Sequence, residues 1–150
     1  MALSKVQSES INLADDFAGM HFGGTGSANQ FDDYEEGTWT ATVAGESGSI
    51  NSYSVISSTY TKVGDTVYVF CRFQVTDKGT GSNFVVSGLP FSSARELLGT
   101  WGGTNTTGVT GFMFTAGTGA TSFTARRSSS WGDQCLYNET YTVQVQYRVQ

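Results

Sequence analysis

Histidine and proline occur once each in this chain, cysteine twice, and Lys and Arg together only eight times in 150 residues. Each scarcity excludes a class of protein. With so few cations and a formal charge of −5, the clustered Lys and Arg that release counterions from phosphates are missing, so DNA, RNA and anionic membrane surfaces are not expected partners. His21 is the sole histidine, which leaves Ser-His-Asp and Cys-His catalysis almost without material. Cys71 and Cys135 form no Cys-x-x-Cys pair and are too few to staple a small domain, so neither a zinc site nor a disulfide framework is expected. No run approaches the roughly 18 apolar residues of a membrane helix, and the first ten residues lack the apolar core of a secretory signal. The expectation is a chain made in the cytoplasm, or assembled there into something larger.

What the chain has in quantity is Gly (19), Thr (20) and Ser (18). A helical bundle would draw on Ala, Leu, Glu and Lys instead. A hydrophobic fraction of 38% and an aromatic fraction of 13% are too high for a disordered chain, so one domain with a real core is expected.

Charge divides the chain. Residues 1–36 carry Glu9, Asp15, Asp16, Asp32, Asp33, Glu35 and Glu36 against Lys5, a net of −6; residues 37–150 carry six acids and seven bases, a net of +1. The first segment has no sustained periodicity and scatters Phe17, Phe22, Phe31 and Tyr34 among polar residues. It reads as an extended acidic arm whose aromatics are buried by a partner, with Asp15, Asp16, Phe17, Phe22, Phe31, Asp32, Asp33 and Tyr34 as its contact residues.

From residue 37 the period is two. Trp39, Ala41 and Val43 alternate with threonines; Thr59–Val63 and Thr66–Val75 flank Gly64-Asp65 as a hairpin; Asn83–Ser87, Val109–Thr115 and Thr121–Arg126 are shorter strands. In the second hairpin strand Tyr68 and Phe70 make the outer face too aromatic to be wholly wet. Ser93-Ala94-Arg95-Glu96 has the form of a capping box and predicts one helical turn running into Leu97 and Leu98. The last ten residues alternate Tyr141, Val143, Val145, Tyr147 and Val149 with Thr142, Gln144, Gln146, Arg148 and Gln150. Together these strands predict an all-β fold, an antiparallel β-sandwich of jelly-roll type over 37–150 behind the N-terminal arm.

Sites for chemistry are thin. Most acids of the β region fall beside Gly or in turns, a poor basis for a paired-carboxylate glycosidase. Asp32-Asp33 with Glu35-Glu36 lacks calcium-loop spacing, and the Gly24-Thr25-Gly26 and Gly117-Thr118-Gly119 turns precede no long helix that could cradle a phosphate. No catalytic residue, metal or cofactor is expected. Trp101 and Trp131 lie in loops, where they either cap the core or, with Asn105, stack on a glycan. The uncharged row Thr142, Gln144 and Gln146, with Arg148, is either a solvent face or a contact near a three-fold axis.

Three ordered blocks carry a resemblance. Asp32-Asp33-Tyr34-Glu35-Glu36-Gly37-Thr38-Trp39-Thr40, then Tyr60-Thr61-Lys62-Val63-Gly64, then Gly88-Leu89-Pro90-Phe91 are similar to the blocks of a β-rich domain of tailed-phage virion proteins. The resemblance implies a trimeric module on the phage surface, found in fibres and appendages. With a short arm and neither shaft, repeats nor heptads ahead of the module, the expectation is a homotrimeric capsid decoration or cement protein on the virion exterior. Its arm would bind the major capsid protein or another virion subunit. The alternative is a tail-fibre or head-fibre module that recognises host surface polysaccharide.

Overall fold

The computed structural model describes residues 20–21, 30–31, 33–95, 97–100, 102–104, 112–127 and 139–149. The chain divides into two compact units, Met1–Tyr34 and Glu35–Gln150, where charge and periodicity suggested 1–36 and 37–150. In the first, β1 (Met20–His21) pairs antiparallel with β2 (Gln30–Phe31), Met20 opposite Phe31.

The second unit is all β among its described residues. Its strands are β3 (Tyr34–Thr38), β4 (Thr42–Gly45), β5 (Ser52–Val63), β6 (Thr66–Asp77), β7 (Phe84–Ser87), β8 (Leu97–Thr100), β9 (Gly102–Thr104), β10 (Phe112–Ala116), β11 (Ser122–Arg127) and β12 (Glu139–Arg148). One five-stranded sheet has the order β4-β7-β11-β10-β8 and the other β3-β5-β6-β12-β9.

Alternation fixes which way each strand faces. Along β6, Val67, Val69, Cys71, Phe73 and Val75 are buried while Tyr68 and Arg72 are exposed; along β12, Tyr141, Val143, Val145 and Tyr147 are buried while Gln144, Gln146 and Arg148 are exposed. These two strands pair over ten residues, from Glu139 opposite Val75 to Arg148 opposite Thr66. From the other sheet Val43, Phe84, Val86, Phe123 and Ala125 join the same core. Phe84 stands edge-on to Phe73 (centroids 5.3 Å, 82°) and to Tyr141 (4.9 Å, 62°), and Phe73 stacks on Tyr141 (5.3 Å, 20°). Two antiparallel sheets packed face to face around an aromatic centre make a β-sandwich arrangement.

Three local features differ from expectation. The alternating run at Trp39, Ala41 and Val43 is not one strand: the chain leaves β3 and enters β4 in the opposite sheet, so residues 39–41 cross the sandwich while Trp39 and Ala41 stay buried. β5 begins at Ser52, seven residues before the expected Thr59, and accommodates a bulge in which Ile56 has no opposite number between the pairs Val55–Phe73 and Ser57–Arg72.

Among the described residues the expected helical turn after Ser93 is absent, and the capping serine is used elsewhere. Its hydroxyl donates to the Gly117 carbonyl (2.9 Å) and accepts from the Ala120 amide (3.1 Å). Its own amide donates to Ala120 O (3.0 Å) and its carbonyl accepts from Gly119 N (2.6 Å). Ser93 is thereby fixed to the 117–120 turn, and Leu97–Thr100 pairs with β10 as a strand.

Burial of ionisable groups inside this core sets an alkaline limit. Desolvation pushes the Cys71 thiol up from 9.0 to about 12 and the Tyr147 phenol from 10.0 to about 12, and the Tyr147 hydroxyl, while it keeps its proton, donates to Phe91 O (3.0 Å). Both neutral forms are favoured in the fold, so this stabilisation is complete below the unfolded-state values and is lost as pH rises toward 12. Urea unfolding should show stability falling from about pH 9 upward, and Cys71→Ala should delay the onset toward pH 10. An unchanged onset in the variant would remove the thiol from this account.

Candidate functional site

The three sequence blocks meet in space. β3 lies beside β5, and Gly37 is the residue that lets them close, because a Cβ there would sit 3.0 Å from the Tyr60 ring. The Tyr60 hydroxyl donates to the Glu35 carboxylate. That bond, more than burial or the carboxylate's charge, holds the Tyr60 phenol above its usual range. Trp39 is clasped at the same place: its amide donates to Ser58 O (3.3 Å), its indole Nε1 to Thr59 O (3.2 Å), and the Ser58 hydroxyl donates to its carbonyl. Phe91 of the third block then packs edge-on against Tyr60 (5.5 Å, 83°), with Lys62 Nζ 5.9 Å from its ring centroid. Glu35, expected as part of an acidic partner-facing segment, is a structural acceptor of the β unit.

A cleft of about 590 Å³ adjoins this cluster, lined by Lys62, Leu89, Pro90, Phe91, Thr118 and Thr121 among others. It mixes one cation with apolar and hydroxyl groups, and its Ser93 wall is already committed to the 117–120 turn.

The second concave surface is the outer face of β5, β6 and β12. Register places Thr59 and Gln144 on either side of Phe70, and Thr61 and Gln146 on either side of Tyr68. These six residues line a groove of about 400 Å³. Tyr68 is 50% exposed at its floor and Phe70 partly buried. Thr142 occupies the next row opposite Arg72, and Arg148 at the far end is bound to Asp65 (2.7 Å) in an exposed ion pair.

Of the residues singled out in sequence, Thr142, Gln144, Gln146 and Arg148 therefore share one outward face. Phe31 lies in β2, Asp33 is exposed, and Tyr34 opens β3 with 53% of its surface exposed. Asp15, Asp16, Phe17, Phe22, Asp32, Trp101, Asn105 and Trp131 lie outside the described residues, as does Cys135. Tyr68, Phe70, Thr59 and Thr61 were not among the candidates. The signal for the first two is the aromatic outer face of their strand; for the threonines it is visible only through register. Among the described residues no three His, Cys, Asp or Glu side chains gather as a metal site, and no helix is long and apolar enough to cross a membrane.

Comparison with protein-family models, with curated proteins and with solved structures finds no match to this chain.

Proposed function

We propose that this chain is a non-enzymatic structural protein of a bacteriophage virion: a homotrimeric capsid decoration or cement protein on the exterior surface, with a jelly-roll-type module held to the shell through residues 1–36. One observation carries this reading. The blocks that resemble phage virion domains are far apart in sequence yet supply one interlocked cluster, Glu35, Gly37 and Trp39 with Tyr60, Lys62 and Phe91. The shared residues are then the ones this architecture needs in order to close. The jelly-roll reading draws on the crossings between sheets, which fall at β3/β4, β4/β5, β6/β7, β8/β9, β9/β10 and β11/β12.

The arm suits such attachment. An acidic segment with four large aromatics gains affinity by ordering on a basic capsid surface, and three arms in one trimer raise it through effective concentration. Purified virions should contain the chain in proportion to capsid protein, and light scattering should give a trimer in solution. Tail-like copy number with a trimer would favour a fibre module, and a stable monomer at micromolar concentration would remove the trimer.

A receptor-binding module is the second reading, favoured by the groove over Tyr68 and Phe70. The same face, through Thr142, Gln144, Gln146 and Arg148, is the expected trimer contact, so the two uses compete for one surface.

A further inference from the structure

We infer that the groove on the outer face of β5, β6 and β12 binds a short stretch of neutral polysaccharide. This deepens the receptor-binding reading by naming its site and ligand class, and moves the site from the Trp101 and Trp131 loops to the centre of a sheet. Its volume of about 400 Å³ falls within the range of small-ligand sites. The floor is rigid: β6 is paired on both sides, with β5 over its whole length and with β12 over ten residues. Side chains on such a floor are already placed before a ligand arrives, which lowers the entropy lost on binding.

The chemistry of the lining selects the ligand. Tyr68, half-exposed on the groove floor, supplies an aromatic ring whose flat apolar face suits the C–H side of a pyranose. Gln144, Gln146, Thr59 and Thr61 each present both a donor and an acceptor, which is the pattern of a sugar hydroxyl. None of the lining residues is charged. Arg72 stands one row away from Phe70, and Arg148 is committed to Asp65, so a phosphate or a carboxylated sugar finds no cation inside the groove.

Concavity separates this ligand from a second copy of the chain. Identical hollows gathered about a symmetry axis, three-fold included, leave a void between them, whereas subunit contacts are packed to the density of protein interiors. A ligand that fills the hollow avoids that loss.

The test is titration of the full chain with neutral gluco-, galacto- and manno-oligosaccharides, alongside sialylated and phosphorylated controls. At least one neutral series should bind, with affinity unchanged at high salt. Tyr68→Ala and Gln144→Ala should each weaken binding about tenfold or more while leaving the thermal midpoint in place, and Tyr68→Phe should retain most of it. Binding that survives Tyr68→Ala would overturn this site and leave the receptor-binding reading standing on another surface. Binding of a charged control and of no neutral series would overturn the inference alone, and binding of no glycan of either kind would overturn the inference and that reading together. A trimer in which Tyr68 becomes protected from chemical labelling would assign the face to subunit contact and overturn the inference alone.

Discussion

Gly88→Ala should cost about 3 kcal/mol or more of folding stability, a large share of the roughly 5–15 kcal/mol a domain possesses. Gly88 follows β7 with φ of +92°, and a Cβ added there would lie 2.1 Å from the Thr40 carbonyl oxygen. Even weak C–H···O contacts keep carbon and oxygen about 3.3 Å apart, so the backbones must separate by about an ångström. The neighbouring pairs Thr42–Ser87 and Val43–Val86 hold them together on one side. On the other side the Gly88 and Leu89 amides both donate to Thr121 O at 3.0 Å, so relief on either side loses hydrogen bonds. Thermal unfolding should show a midpoint lower by on the order of 10 °C. Gly64→Ala is the internal control: Gly64 also has positive φ, at +57°, but a Cβ there meets nothing within 4 Å. Its cost should be only the left-handed conformation of an alanine, about 1–2 kcal/mol. Equal losses in the two variants would mean that conformation, not collision, sets the requirement for glycine at position 88.

The contrast bears on how much of the molecule is legible in its sequence. β6 and β12 are, because they carry five and four inward apolar residues in strict alternation and one face of each strand is dry. The Gly64-Asp65 hairpin is legible for the same reason, helped by a residue free to adopt positive φ. The first half of β5 is not. Ser52, Ser54, Ser57 and Ser58 interrupt the apolar pattern, and the bulge at Ile56 reverses its phase midway. Ser93 carries a helix signal that is locally sound, yet the turn at 117–120 offers it four hydrogen bonds and a position only 2% exposed. A local rule yields there to partners some 25 residues away.

The site divides in the same manner. Tyr68 and Phe70 announce an aromatic outer face by their period. That Gln144 and Gln146 stand beside them depends on pairing across about seventy-five residues of chain, which no local pattern specifies. The Glu35–Tyr60 bond is hidden likewise, and hence the charge count of the N-terminal segment overstates what is available to a partner: one of its seven acids is an acceptor within the β unit.

Phe73→Ala and Tyr68→Ala, five residues apart on β6, should give opposite outcomes. An odd separation on a strand places the two rings on opposite faces. Phe73 has no exposed surface and touches an aromatic ring from its own sheet, Tyr141, and one from the facing sheet, Phe84. Removing it leaves a cavity at the junction of both sheets, for which about 3–5 kcal/mol is the expected loss. The two ring contacts place it toward the upper end, since such pairs add about 0.5–1.5 kcal/mol beyond burial. Should that variant fail to fold, Phe73→Leu, which keeps most of the volume, should lose on the order of 1–1.5 kcal/mol and can be measured by urea unfolding. Tyr68→Ala should stay within about 0.5 kcal/mol of the parent, as surface substitutions do. If it instead unfolded the protein as Phe73→Ala does, the outer face would be a second core rather than an open groove. The assignment of ligand binding to that face therefore depends on the same alternation of residues that builds the sandwich.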